Sequence, residues 1–140
     1  MRLVPLVCAL LASMYGCSLE SAEDTKVKAA LAGSWHYEYK DPSERHVRGI
    51  YSLAEGGTFR GRERVAGEPR EEGSSGPWYV TDGLLKLQTV EVDGRKLGTR
   101  ETMFFTCKVQ DLSSKQFDCL LVDGNRKLTF RKVPHDYALS

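Results

Sequence analysis

Residues 31–40 read LAGSWHYEYK, and the reading of this stretch decides the fold. Trp35, Tyr37 and Tyr39 alternate with His36 and Glu38. Side chains two apart share one face of a strand, so three aromatic rings stand on one side and polar groups on the other. A strand this lopsided must bury its aromatic face against other elements. Asp41-Pro42-Ser43-Glu44, rich in turn formers, ends it and sends the chain back.

Further turn signals follow at Glu55-Gly56-Gly57, Thr81-Asp82-Gly83, Asp93-Gly94-Arg95, Asp111 to Lys115 and Asp123-Gly124-Asn125. They separate eight candidate strands, near 34–40, 46–54, 58–66, 77–81, 84–92, 97–110, 115–122 and 127–133. One connection, GEPREEGSSG at 67–76, is long, charged and expected to be exposed. An unbroken series of hairpins makes an up-and-down sheet, and eight strands suffice to close it and remove its edges. The expected fold is therefore all-β: one small eight-stranded up-and-down antiparallel barrel over 31–134, preceded by a short helical turn at KVKAAL and followed by a tail, 135–140. An open meander or a small sandwich is the alternative that the same signals allow.

Period-two parity assigns the interior to Trp35, Tyr37, Tyr39, Val47, Tyr51, Leu53, Phe59, Val65, Phe105, Cys107, Val109, Phe117, Cys119, Leu121, Leu128 and Phe130. Leu84, Leu85, Leu87, Val90 and Val92 do not alternate, which predicts a bulge or a face switch in that strand. Glu63 and Glu101 fall on inward positions by the same count, so each must be paired, protonated or near an open mouth. Arg60, Arg62 and Arg64 take the opposite parity, as the solvated face of a strand does.

The chain has 140 residues and a formal net charge of +1, room for one domain with a modest core. Such balanced charge argues against a nucleic-acid partner. Arg2 followed by LVPLVCALLASM is too short to span a bilayer and reads as a secretory signal over 1–16. Its end, MYGCS, resembles a bacterial lipobox through Gly16 and Cys17. That resemblance implies a lipidated Cys17 as mature N-terminus, a polar flexible tether over 17–30, and, with Ser18 next, anchorage in the outer membrane facing the periplasm. Export also places the chain where disulfides persist. Cys107 and Cys119 flank the turn-rich DLSSK, and folding about Ser113 brings them opposite each other, which predicts a disulfide.

Gly33-Ser34-Trp35, placed after a helical turn at the start of the first strand, resembles the Gly-x-Trp signature of lipocalins and related calycin barrels. YSLAEGGTF, GPWYVTDGLLKL and KLTFRKV are similar to stretches of small bacterial lipocalin-like lipoproteins. The resemblance implies that Trp35 plugs the closed end of the barrel and that an Arg of the last strand packs across it. Arg131 is the matching residue, although parity sets it opposite to Leu128 and Phe130, so stacking requires a local twist.

The sequence holds no Gly-x-Ser-x-Gly, His-Glu-x-x-His or phosphate-cradling loop, and His36, His46 and His135 are scattered. Neither catalysis, a metal nor a cofactor is expected. The expected function is an envelope-anchored binding protein for a small apolar or amphipathic ligand, with Tyr37, Tyr39, Tyr51, Glu63, Glu101 and Phe105 as candidate contacts. The alternative is a filled barrel that binds an envelope protein, as inhibitors of lysozyme or of secreted proteases do, through loop 67–76 or the tether. A cavity of about 300 Å³ or more favours the carrier, and a packed interior favours the interaction module.

Overall fold

The structure, a computed structural model, describes residues 21–122 and 126–139. The signal segment, Cys17 and the start of the tether lie outside the described residues. Helix α1 spans Ala22–Leu31, longer than the turn expected at KVKAAL. Ser21 caps it by accepting the Asp24 N–H at 3.0 Å, and Glu23 and Asp24 complement the positive end of the helix dipole.

The strands are β1 (Gly33–Lys40), β2 (His46–Leu53), β3 (Thr58–Val65), β4 (Glu72–Thr81), β5 (Leu84–Thr89), β6 (Glu91–Val92), β7 (Arg95–Lys96), β8 (Met103–Gln110), β9 (Gln116–Leu121) and β10 (Lys127–Val133). Eight of them follow the order β3-β2-β1-β10-β9-β8-β5-β4, and pairing of β3 with β4 closes the ring. The fold is a closed eight-stranded antiparallel barrel with one short helix before it.

Val90 breaks the strand expected over 84–92, and its N–H donates to Ser75 O at 2.9 Å. On one side of the break β5 pairs with β8 and the end of β4; on the other β6 pairs with the start of β4 and with β7. The uneven apolar pattern thus marks a bend at which the strand changes partner. Asp82-Gly83 and Asp93-Gly94 both hold positive φ at both residues, the geometry that two-residue hairpins with native twist require.

One expectation about a chain segment is corrected. Residues 72–76 of the supposed loop belong to β4, because Gly73, Ser74, Ser75 and Gly76 pair with β3. Small polar side chains hid a strand that is held by its backbone ladder rather than by apolar burial. The tail is not free: Arg62 donates to Tyr137 O at 2.7 Å, the Tyr137 ring meets His36 at 5.7 Å, and Leu139 is buried. Beneath this strap Ile50, which points outward from β2, is buried too.

Cys107 and Cys119 form a disulfide across β8 and β9. The register pairs Val109 with Cys119 and Cys107 with Leu121, so the two are diagonal neighbours rather than directly opposite. A bridge over 12 residues contributes about 3 kcal/mol in the chain-entropy account.

The closed end is built on Trp35. Its indole N–H donates to Leu31 O at 2.8 Å, tying β1 to the helix end, and Phe117 meets the ring edge-on at 4.8 Å. Lys132, not Arg131, lies over the indole, with Nζ 4.6 Å from the ring centroid, and Nζ also donates to Ala32 O at 2.9 Å. The reason is register: Trp35 pairs with Lys132, whereas Arg131 pairs with outward-facing His36. Gly33 completes the arrangement, since its φ of 133° suits glycine and a Cβ there would strike the Lys132 side chain. On the far side of the floor Asp24, buried, accepts the N–H groups of Asp82 and Gly83 at 2.9 and 3.0 Å. Those two donors, Gly83 first, hold its carboxyl below the ordinary Asp range.

Replacing Lys132 by Met removes both the cation over Trp35 and the bond to Ala32, and lowers stability by about 1 kcal/mol. Arg131→Met changes it by less than about 0.5 kcal/mol. Urea unfolding followed by tryptophan fluorescence checks this; a larger loss in the Arg131 variant would reverse the assignment.

Candidate functional site

The interior fills upward from Trp35 as a column of rings. Phe117 stacks on Phe130 at 4.8 Å, Phe130 meets Tyr37 at 5.3 Å, and Tyr37 stacks on Tyr51 at 5.1 Å. Tyr51 then reaches Phe105 at 6.0 Å, and Tyr39 stacks on Tyr37 at 6.2 Å. These residues come from β1, β2, β8, β9 and β10, so the column ties distant strands together.

The column stops short of the mouth. Tyr37, Tyr39, Tyr51, Glu63 and Phe105 line one pocket of about 170 Å³, together with Leu121, Leu128 and Arg126. A second lobe of about 200 Å³ shares Tyr37, Tyr51, Glu63 and Phe105 and extends towards Met103 and Phe104 on the rim. Five of the six ligand-contact candidates thus meet at one place. Glu101 does not: β8 begins only at Met103, and Glu101 lies in the preceding loop. There it accepts from Arg95 at 3.2 Å and from the Gly98 N–H at 3.4 Å, and the Arg95 bond holds its carboxyl below the usual range. The inward assignment of Glu101 assumed a strand over 97–110; with that strand shortened, the parity argument has no basis.

Glu63 is the carboxylate that does face inward. Tyr37 Oη donates to Glu63 Oε2 at 2.5 Å, and no Lys or Arg lies within ion-pair distance of Glu63 among the described residues. Tyr37 is only 3% exposed, so most of its ring fills the barrel and only a small part of it reaches the pocket. Its burial, reinforced by the charge on Glu63, lifts its phenol far above the usual range. Burial likewise pushes Tyr51 up to about 12 and, with the Glu63 charge, raises Tyr39.

Five residues that line or shape the recess were not anticipated as site residues, the pocket wall Leu121 among them. Gly49 leaves room for the Tyr37 ring, which a Cβ at that position would strike, and Gly61 does the same for Tyr51. The signal was present, because isolated glycines inside strand patterns mark close approach. Leu128 was read as interior but not as a pocket wall. Arg126, whose guanidinium sits 6.0 Å over the Tyr39 ring, stands just before β10, outside the strands to which parity applies.

A larger depression, about 770 Å³, lies outside the barrel between the tail, β3 and the β6–β7 hairpin. Arg60 and Arg62 share its wall with Glu91, Asp93 and Asp136, and its residues bond to one another where Asp93 accepts the Gly73 N–H at 2.7 Å. This is an open furrow of mixed charge. The smaller mouth pocket, with buried aromatic walls and one carboxylate, is the better-built site. Among the described residues, no group of three His, Cys, Asp or Glu is placed to hold a metal.

A comparison with protein-family models finds no family that matches this chain, and no curated protein matches it either.

Tyr37 and Tyr51 stay neutral in the fold at pH values where phenols of the unfolded chain, near 10.0, have ionised. The stability they carry is whole below pH 10 and falls as pH rises from there through about 12 for Tyr51. Tyr37→Phe makes the alkaline loss shallower and, by removing the bond to Glu63, costs about 2 kcal/mol at neutral pH. Denaturant unfolding at a series of pH values measures both effects.

Proposed function

We propose that this chain is a non-catalytic, lipocalin-like envelope lipoprotein whose barrel mouth binds a small amphipathic ligand. The observation that carries this reading is the mouth pocket. A barrel sealed at one end by Trp35 and helix α1 leaves an aromatic recess at the other, polar at Glu63 and Arg126 and apolar towards Phe105, Leu121 and Leu128. Each lobe falls below the roughly 300 Å³ set above as favouring a carrier, which weighs towards the interaction module, and a carrier of this size takes a headgroup or a small molecule rather than engulfing a long one.

The anchor rests on the sequence: a short signal ending at Gly16-Cys17 supports lipidation of Cys17 and residence in the outer membrane, facing the periplasm. A second reading, an interaction module such as a lysozyme or protease inhibitor, is favoured by the rim. Met103, Phe104 and Val122 are 53%, 65% and 63% exposed, a cost in water that a protein partner would remove.

Mass spectrometry of the mature protein tests the anchor: the expected N-terminal peptide begins at Cys17 and carries acyl chains, and an unmodified start elsewhere removes the anchor from the proposal. A neutral naphthylamine dye tests the pocket. Its fluorescence is expected to rise with the wild type and not with Leu121→Trp or Leu128→Trp, each of which fills the recess, while Phe104→Ser leaves the rise intact. A rise that depends on Phe104 and ignores both pocket variants would favour the interaction module.

A further inference from the structure

The carrier reading leaves the ligand's charge open, and the mouth carries an answer. Glu63 faces the pocket and accepts from Tyr37, yet no cation of the chain pairs with it among the described residues. Tyr37, Tyr39, Tyr51 and Phe105 present ring faces and edges around the same space. Carboxylate and π faces are all negative in electrostatic terms, and an amine or quaternary ammonium group is the chemistry such an enclosure attracts.

Two further observations point the same way. The chain already places a cation against this wall, because the Arg126 guanidinium lies 6.0 Å over Tyr39 at the opening. It shows that a positive group of side-chain size can sit there, and Arg126 itself is exposed, just before β10. In addition, the β3–β4 register puts Glu72 directly opposite Glu63, and both line the second lobe. Like charges directly opposite each other across two strands are unfavourable, and a bound cation relieves that repulsion.

We infer that the barrel mouth selects a small amphipathic cation, with its ammonium group enclosed by Tyr37, Tyr39, Tyr51 and Phe105 beside Glu63, and its apolar part leaving towards Met103 and Phe104. The pocket of about 170 Å³ holds a methylated ammonium headgroup and little more, and the second lobe, about 200 Å³, leads to the exposed apolar rim. An anion meets the opposite situation at the inner wall, since Glu63 and Glu72 repel it, while the cations on the lining are Arg126 at the opening and Arg62 on the second lobe, itself 3.9 Å from Glu71. This inference rests on the mouth being a ligand site, as proposed above.

The test uses three probes that share an octyl tail and differ only in headgroup: octyltrimethylammonium, octyl glucoside and octanoate. Binding is followed by calorimetry and by the amide NMR shifts of the mouth residues. The trimethylammonium probe is expected to bind tightest, and Glu63→Gln to weaken it about tenfold while leaving the glucoside unchanged. Arg126→Ala, an exposed change that does not threaten the fold, is expected to tighten it by removing a competing positive charge.

Tightest binding of octanoate, weakened by Arg126→Ala, would overturn the cation assignment and leave the carrier reading standing. Equal binding of all three probes, unmoved by either variant, would also overturn it. If none of the three binds at the mouth, this inference and the carrier reading fall together.

Discussion

One hydrogen bond sets the frame of this molecule: the Trp35 indole N–H to the carbonyl of Leu31, buried at the barrel floor. A buried indole donor without a partner is costly, so the helix end must lie where it does. Leu31 is then fully buried beneath the ring, Lys132 crosses it from the last strand, and Phe117 meets its edge. First strand, last strand and helix are thereby joined at one point, where the ring of strands would otherwise be most open to water. Trp78 makes the matching bond on the other side of the floor, donating to Ala54 O at 2.8 Å, with Lys28 over its ring.

From that floor the interior is a problem of filling a tapered tube with rings. Phe117 and Phe130 pack nearly parallel, 4° apart, and Tyr37 is admitted only because Gly49 has no side chain to obstruct it. Each tyrosine brings a hydroxyl that must be satisfied as the tube becomes drier, and Glu63 supplies the acceptor for Tyr37. The same carboxylate keeps the mouth polar, which is why packing stops there and a recess remains. A structural need, satisfying a buried phenol, thus produces the chemical character of the pocket.

Much of the barrel was legible in the sequence because alternation and turn chemistry are local. Asp82-Gly83 and Asp93-Gly94 announce their hairpins, and Trp35, Tyr37, Phe59, Phe117 and Phe130 announce the core by parity. What failed was anything fixed by register or by backbone alone. Arg131 and Lys132 are adjacent, and only the pairing with β1 decides which one meets the indole. Gly73 to Gly76 look like a loop because their strand is stabilised by ladder bonds and close approach, to which composition is blind. Glu101 was misplaced by extending a strand six residues beyond its start at Met103, and parity errors travel with the end from which they are counted. For the site, the five residues meeting at the mouth were legible as inward aromatics and an inward acid, but Arg126, just outside β10, was not.

Helix α1 forms no strand pairing, so it can leave the barrel floor while every rung of the ring stays intact. At ten residues it is too short to persist alone in water, and it is held at both ends: Leu31 is buried and accepts from Trp35, and Asp24 accepts from the backbone of Asp82 and Gly83, 58 and 59 residues away. Its docking therefore waits on long-range partners, the β4–β5 turn at one end and the Trp35 indole at the other. Its release would uncover Trp78 and the underside of Trp35 and strip the indole of its acceptor, so the base of the vessel stays shut because opening it leaves a buried donor unpaired.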